Sequence, residues 1–144
     1  MTPFNLKIIT PDGVFFPKKL SDGTEQKVVN IIVRTTVGDK GILAKHEPYV
    51  AALPIGKVRV QDVNGKYRVA AISNGTIRVE EGGDTVILVQ SCEWSNRIDV
   101  ARAEEAKKKA GERLSNPDTS ILEHDIAEFK LKRALNRIDA ANPE

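Results

Sequence analysis

Hydrophobic and polar residues alternate along much of the first 95 residues, in short segments that turn residues separate. The alternation begins at residues 5–8 and is strictest at residues 57–61 and 66–70. Such a pattern is typical of strands that bury one face. Asn64-Gly65, between the last two segments, predicts a hairpin with a type I′ turn, in which both central residues have positive φ.

Three further segments rich in β-branched residues follow the same pattern, at residues 27–37, 76–79 and 85–89, and each lies beside a turn that contains glycine. No segment long enough for a helix separates them, which disfavours a parallel α/β fold. Several short strands with frequent turns predict an antiparallel β-sandwich or barrel. We assign this β domain to residues 1–95.

The composition changes at Ser95-Asn96, after which alanine, leucine and charged residues dominate. This composition favours helices. The pattern predicts a first helix over about residues 97–114, with Asn96 as N-cap, and a second over about residues 120–141. Pro117 lies between the two predicted helices and separates them, because proline disfavours helical geometry in the residue before it.

Small and large apolar residues recur at helical spacing in this second part, which spans residues 96–144. On the first helix they are Ala103, Ala106 and Ala110. On the second helix they are Leu122, Ile126, Phe129, Ala134 and Ile138. A stripe of small residues opposite a stripe of larger ones predicts an antiparallel two-helix hairpin.

Charge and composition exclude several classes of function. The 22 basic and 20 acidic residues nearly cancel, so general nucleic-acid binding is not expected. One cysteine and two histidines leave no disulfide and little material for a metal site. No apolar segment has the length of a membrane span, and no secretory signal is visible. These features predict a soluble intracellular protein.

Motifs of common catalytic sites are missing from the sequence, including the phosphate-binding loop, the Gly-x-Ser-x-Gly elbow and His-Glu-x-x-His. We therefore expect no catalysis by this chain alone. Cys92 follows an apolar strand and is expected to be a buried structural thiol.

Four charged residues of the helical part form the strongest candidate for a binding site. Asp99 and Arg102 have i, i+3 spacing, and Arg133 and Arg137 have i, i+4 spacing, so each pair shares a helix face. If the hairpin brings the two faces together, the arginines could hold phosphate groups and the carboxylate a ribose or base. In the ordinary alternative, both arginines pair with acids on a solvated helix.

Several motifs, in order along nearly the whole chain, resemble the epsilon subunit of bacterial-type F-type ATP synthase. Residues 6–15 are similar to the first strands and turn of that family, and residues 54–60 to a later strand. Residues 41–48, Gly-Ile-Leu-Ala-Lys-His-Glu-Pro, resemble its Gly-Ile-Leu-Pro-Gly-His-x-Pro segment. Residues 73–79 resemble its Ser-Gly-Gly hairpin, and residues 98–103 read Ile-Asp-x-x-Arg-Ala, a family motif.

The resemblance implies a β-sandwich followed by a helical hairpin, in a non-catalytic subunit of the central stalk. In that family the sandwich contacts the gamma subunit and the ring of c subunits, and it helps couple proton or sodium flow to ATP synthesis. The hairpin lies folded on the sandwich or extends into the head of alpha and beta subunits, where it blocks ATP hydrolysis. The implied location is the cytoplasmic face of the cell membrane, as a peripheral protein.

The resemblance also implies two sets of site residues. No cofactor is required, but some members bind ATP, with or without Mg²⁺, as a regulatory ligand. The matching positions here are Glu93, Ile98, Asp99, Arg102, Arg133 and Arg137. Asp39 and His46 match residues at one end of the sandwich that face the c-ring. The alternative to this function is a stand-alone nucleotide-sensing or adaptor β-sandwich module.

Overall fold

Ten strands and two long helices follow one another in the part of the chain that the computed structural model describes, residues 2–18 and 22–142. The strands are β1 Leu6–Thr10, β2 Gly13–Phe16, β3 Val28–Thr35, β4 Gly38–Ile42, β5 Tyr49–Leu53, β6 Gly56–Asp62, β7 Tyr67–Ile72, β8 Gly75–Val79, β9 Thr85–Val89 and β10 Cys92–Trp94. A short 3₁₀ turn, Ser95–Arg97, leads into helix α1, Val100–Ser115, which is followed by helix α2, Ile121–Ala141.

The strands form two five-stranded sheets, which confirms the predicted β-sandwich with a helical hairpin after it. The sheet with strand order β10-β7-β6-β3-β4 carries the helices on its outer face, and we call it the docking sheet. The other sheet, with order β2-β1-β9-β8-β5, is called the open sheet.

The inner faces of both sheets form one hydrophobic core. In β8, for example, Ile77 is 0% exposed while its neighbour Arg78 points outward and is exposed. Ile31 of the docking sheet and Ile87 of the open sheet are also 0% exposed. Each such burial contributes about 1.5–3 kcal/mol. This core consists only of residues from Phe4 to Trp94, so the sandwich is packed without the helices.

The sandwich differs from the predicted antiparallel arrangement in one strand pair. In the described part of the chain, β1 pairs in parallel with β9, while the other strand pairs are antiparallel. The local alternation in the sequence sets which face of a strand is buried, but not which distant strand it joins.

The Asn64-Gly65 hairpin joins β6 and β7 as expected, but the predicted type I′ turn is wrong. Gly65 has φ +84°, whereas Lys45 is the non-glycine residue with positive φ within the described ranges. The carboxylate of Asp62 accepts hydrogen bonds from the backbone N–H groups of Asn64, at 2.8 Å, and Lys66, at 3.0 Å. This side chain stabilises a three-residue loop with one left-handed glycine instead.

Both helices begin at side-chain caps. The prediction of Asn96 as the first N-cap is wrong, because Asp99 caps α1 by accepting a hydrogen bond from the Arg102 N–H at 3.1 Å. Ser120 caps α2 by accepting from the Glu123 N–H at 3.1 Å, as the predicted helix start implies. No helix in the described ranges is both long and apolar enough to span a bilayer.

The seam between α1 and α2 consists of alanine on both sides. Ala103 and Ala110 of α1, and Ala127 and Ala134 of α2, are buried. The predicted packing of a larger apolar stripe against the alanines is wrong, since Leu122, Ile126 and Phe129 are 69%, 43% and 45% exposed. Small residues on both helices allow a close approach of the axes, which turns the larger residues away from the seam.

Cys92 is expected to react very slowly with alkylating reagents in the folded protein. Burial, and secondarily the charge of Glu93, raises the pKa of its thiol to about 12. Because the thiolate is the nucleophile, iodoacetamide alkylation at pH 8 should be about a thousand-fold slower than for an ordinary thiol of pKa about 8.5. Cys92 is only partly buried, so the expected buried thiol holds in part. The same reaction in denaturant serves as the control, and comparable rates in both conditions would contradict the shielding of this thiol.

Candidate functional site

A cavity of about 640 Å³ lies between the two helices. Its floor includes the seam alanines Ala110, Ala127 and Ala134, whose short side chains leave space above them. Six cationic side chains line it, namely Arg102, Lys109, Arg113, Lys130, Arg133 and Arg137. The one acidic side chain in its lining is Glu112. The cavity therefore carries a net positive charge, although Lys109 pairs with Glu105 of α1 at 3.2 Å.

Helical spacing explains why these cations share one space. Arg102, Lys109 and Arg113 repeat at i, i+7 and i+11 on α1, and Lys130, Arg133 and Arg137 at i, i+3 and i+7 on α2. Like charges at such spacing repel each other. A polyanion between the helices would reverse this repulsion, since guanidinium groups match phosphate oxygens in geometry and charge.

Three of the six predicted ATP-binding residues line this cavity: Arg102, Arg133 and Arg137. The other three stand outside the cavity lining. Asp99 caps α1, and Ile98 is buried with Ala71 and Ala140 at the joint between hairpin and sandwich. Glu93 of β10 instead reaches Arg137 from the docking sheet.

Arg137 forms an ion pair with Glu93, through its Nε and Nη2 groups. Both side chains are largely buried, 22% and 31% exposed. The ordinary alternative, in which the arginines pair with acids, therefore holds for Arg137, although its partner lies on the sandwich and not on a helix. Arg133 has no ion pair within the described ranges and remains directed to the cavity.

Sequence reasoning missed Lys109, Arg113 and Lys130, which line the same cavity. A signal was present, because Lys109 and Arg113 lie seven and eleven residues after Arg102, and Lys130 lies three residues before Arg133, all spacings that share a helix face. Identifying it required knowledge of which face of each helix forms the seam.

The hairpin contacts the sandwich mainly through α2, at the C-terminal end of that helix. The Asn136 side-chain amide donates to the Gly56 carbonyl at 2.9 Å and to the Ile72 carbonyl at 3.4 Å. Lys57 of β6 pairs with Asp139 at 2.8 Å. Helix α1 packs mainly against α2. A short segment at the C-terminal end of α2 thus makes most of the contacts that hold the hairpin on the sandwich.

Asp39 and His46 lie apart. Asp39, near the start of β4, accepts a hydrogen bond from Arg34 Nε at 3.0 Å. His46 follows β4 and stacks edge-on with Tyr49, with ring centroids 5.9 Å apart, beside the β8–β9 turn that contains Gly83. Because β4 carries the chain from one end of the sandwich to the other, the expectation that both residues share one end is wrong.

One group of potential metal ligands stands out within the described ranges: His124, Asp125 and Glu128, whose ligand atoms lie within 4.8 Å of one another. All three are exposed and lie on one turn of α2. Exposed groups of this kind are the usual surface of a solvated helix, and we assign no metal site to them.

Comparison with protein families assigns both parts of the chain. Residues 3–95 match the family described as ATP synthase, Delta/Epsilon chain, beta-sandwich domain. Residues 97–142 match ATP synthase, Delta/Epsilon chain, long alpha-helix domain. The chain therefore belongs to the ATP synthase delta/epsilon chain family, which confirms the resemblance in the sequence.

Relatives of known name agree with this family. The ATP synthase epsilon chain of Ruminococcus albus is 41% identical over 142 residues, covering 99% of this chain and 98% of the relative. That of Bacillus pumilus is 39% identical over 141 residues, covering 98% of each. These relatives are named as one chain of a multi-subunit enzyme, in agreement with the prediction that this chain is not catalytic alone.

Solved structures share the fold. A chain of the Euglena gracilis mitochondrial ATP synthase (OSCP/F1/c-ring) superposes with a TM-score of 0.78 at 24% identity, covering 93% of this chain and 78% of that one. A chain of the Tetrahymena thermophila mitochondrial ATP synthase central stalk and c-ring gives 0.60 at 11% identity, covering 96% of each.

Proposed function

We propose that this chain is a rotor subunit on the central stalk of an F-type ATP synthase. In this role it couples proton- or sodium-driven rotation to ATP synthesis and inhibits ATP hydrolysis through its helical hairpin. It is held at the cytoplasmic face of the membrane only through the complex. Membership of the delta/epsilon family over residues 3–142 is the observation that supports this most strongly.

The attachment of the hairpin supports a movable element. The core of the sandwich is packed without the helices. The cluster between the two parts is small and consists of Ala71, Ile98 and Ala140, with Ala141 beside it. Few apolar groups hold the hairpin to the sheet, so detachment requires little loss of buried area. In the proposed mechanism the detached hairpin extends into the alpha/beta head and blocks hydrolysis.

The open sheet provides a surface for the gamma subunit. Register places Ala52, Thr76 and Leu88 side by side, and Ile9 and Val14 continue this row. Leu88 and Val14 are 49% and 60% exposed. A nearly apolar row across five strands is typical of a protein contact.

The c-ring contact is proposed for the end of the sandwich that carries Asp39. Val37, at the tip of the β3–β4 turn, is 91% exposed there, and Asp39 is also exposed. His46 lies at the other end and is not included in this contact.

Removal of the hairpin tests the inhibitory role. An ATP synthase whose chain ends after Asn96 is expected to hydrolyse ATP several-fold faster than the intact complex, because the blocking element is gone. Equal amounts of assembled complex, checked by gel, are the control. Unchanged hydrolysis in the shortened complex would show that the hairpin does not inhibit.

We also propose that ATP binds in the cavity between the helices and stabilises the folded hairpin. The supporting observation is that six cations line the cavity. Arg137 pairs with Glu93 and Lys109 with Glu105, whereas Arg133 has no ion pair in the described ranges. A ligand that binds only the folded hairpin shifts the equilibrium towards it. ATP would thus reduce inhibition.

Titration calorimetry of the isolated chain with ATP tests this site. Arg133→Ala is expected to weaken binding about ten- to a hundred-fold, since a charge-assisted hydrogen bond contributes roughly 1.5–3 kcal/mol. Lys132→Ala is the matched control, because the neighbouring Lys132 pairs with Glu128 outside the cavity. Equal affinities for the two variants would remove Arg133 from the site.

The alternative of an adaptor or stand-alone nucleotide sensor makes a different prediction. Purification of the tagged chain from its native cells should return the gamma subunit if the rotor function is correct. Recovery of the tagged chain without the gamma subunit would favour the adaptor function.

A further inference from the structure

A row of side chains crosses the outer face of the docking sheet, with one residue from each strand. We call it the charged row, and its members are Asp39, Arg34, Lys57, Ala71 and Glu93. Asp39 is the register partner of Arg34, and Ala71 is the partner of both Lys57 and Glu93. Arg34 and Lys57 occupy neighbouring positions of β3 and β6.

The last turns of α2 rest on this charged row. Asp139 pairs with Lys57 at 2.8 Å, and Arg137 pairs with Glu93. Between these ion pairs, Ala140 is 0% exposed and packs with Ala71. The charged row is therefore the seat of the hairpin.

Asp139 makes docking sensitive to the cations of the sheet. It lies in the last turn of α2, where the helix dipole disfavours a negative charge, and this turn contains no basic residue. Lys57, and the nearby Arg34, supply the compensating charge only when the hairpin is docked.

Arg34 faces two carboxylates. Its Nε donates to Asp39 at 3.0 Å, and both side chains are exposed. Arg34, Asp39 and Asp139 line one cleft of about 270 Å³. The hydrogen bond to Asp39 and its charge, and to a lesser extent the charge of Asp139, raise the pKa of Arg34. Arg34 thus attracts two carboxylates, that of Asp39 on the edge strand β4 and that of Asp139 on the hairpin.

We propose that Arg34 couples a contact at the β4 edge to the docking of the hairpin. When a lysine or arginine of the c-ring, the contact proposed for Asp39, pairs with this carboxylate, Arg34 turns to Asp139, and the hairpin is held more tightly on the sheet. The inference rests on the proposed function in two respects, that the hairpin can leave the sheet and that another subunit contacts the end of the sandwich that carries Asp39.

A double-mutant cycle on the intact isolated chain tests the coupling. Hydrogen exchange of the amides of residues 136–141 is measured for the native chain, Asp39→Asn, Arg34→Gln and the double variant. Asp39→Asn is expected to slow exchange about two- to five-fold, the range of an exposed ion pair. Arg34→Gln should accelerate the exchange. In chains that already carry Arg34→Gln, the added Asp39→Asn change should have no effect on the exchange rate.

Asp12→Asn, which removes the same charge at the β1–β2 turn, is the control and should leave exchange unchanged. An Asp39→Asn effect that is absent, or equally large with and without Arg34, would overturn the coupling. Such a result leaves the proposed function intact, because faster hydrolysis after removal of the hairpin is measured independently.

Discussion

Gly75→Ala is expected to destabilise the sandwich by about 3 kcal/mol or more, because the new methyl group has no space. Gly75 begins β8 opposite Val89 of β9. An added Cβ would overlap the carbonyl oxygen of Leu88 and lie 2.8 Å from the Cα of Val89. Both are backbone atoms, so the strands themselves must separate.

Thermal unfolding followed by the fluorescence of Trp94, the only tryptophan of the chain, measures this effect. A loss of this size lowers the midpoint by roughly 10 °C. Gly111→Ala in α1 is the matched control, since nothing lies within 4 Å of its added Cβ. That change should be neutral or stabilise the helix by about 0.5–1 kcal/mol. Similar midpoints for both variants would show that β8 and β9 are not this close.

Ala103→Leu is expected to open the helical hairpin while the sandwich stays folded. Ala103 is 0% exposed in the seam, and overpacking of such a site costs about 1–3 kcal/mol. This shifts the equilibrium about five- to a hundred-fold towards the open hairpin, in which the two helices have separated. In the assembled ATP synthase, the proposed function then predicts slower ATP hydrolysis, because the extended hairpin is the inhibitory form.

Circular dichroism of the isolated chain should show helix melting at a lower temperature, with the Trp94 fluorescence transition unchanged. Ala101→Leu is the control, because Ala101 is exposed on the same helix. If Ala103→Leu and Ala101→Leu behave alike in both measurements, the alanine seam does not hold the hairpin.

Much of the fold follows from local patterns in the sequence. The alternation at residues 57–61 places Val58 and Val60 in the core because strand side chains alternate between faces. Ser120 starts α2 because its side chain satisfies a free N–H group of the first turn. Asn64-Gly65 marks the position of the β6–β7 turn, but the type of this turn depends on the Asp62 carboxylate.

The candidate site was predictable only in part. The spacing of Arg133 and Arg137 placed them on one face of α2, and both line the cavity, although Arg137 also pairs with Glu93 of the docking sheet. The Glu93–Arg137 ion pair joins residues 44 positions apart, so no periodicity indicates it. The positions of Asp39 and His46 depend on the course of β4 across the sheet, which a motif does not describe.

Local periodicity, capping and ordered motifs are enough to predict the two-part architecture, the start of α2 after Ser120 and the family. The parallel pairing of β1 with β9, the alanine seam and the seat of α2 on the charged row become visible only in the folded chain. These depend on contacts between distant segments, where the close approach of two backbones and the pairing of remote charges select one arrangement from several that the local pattern permits.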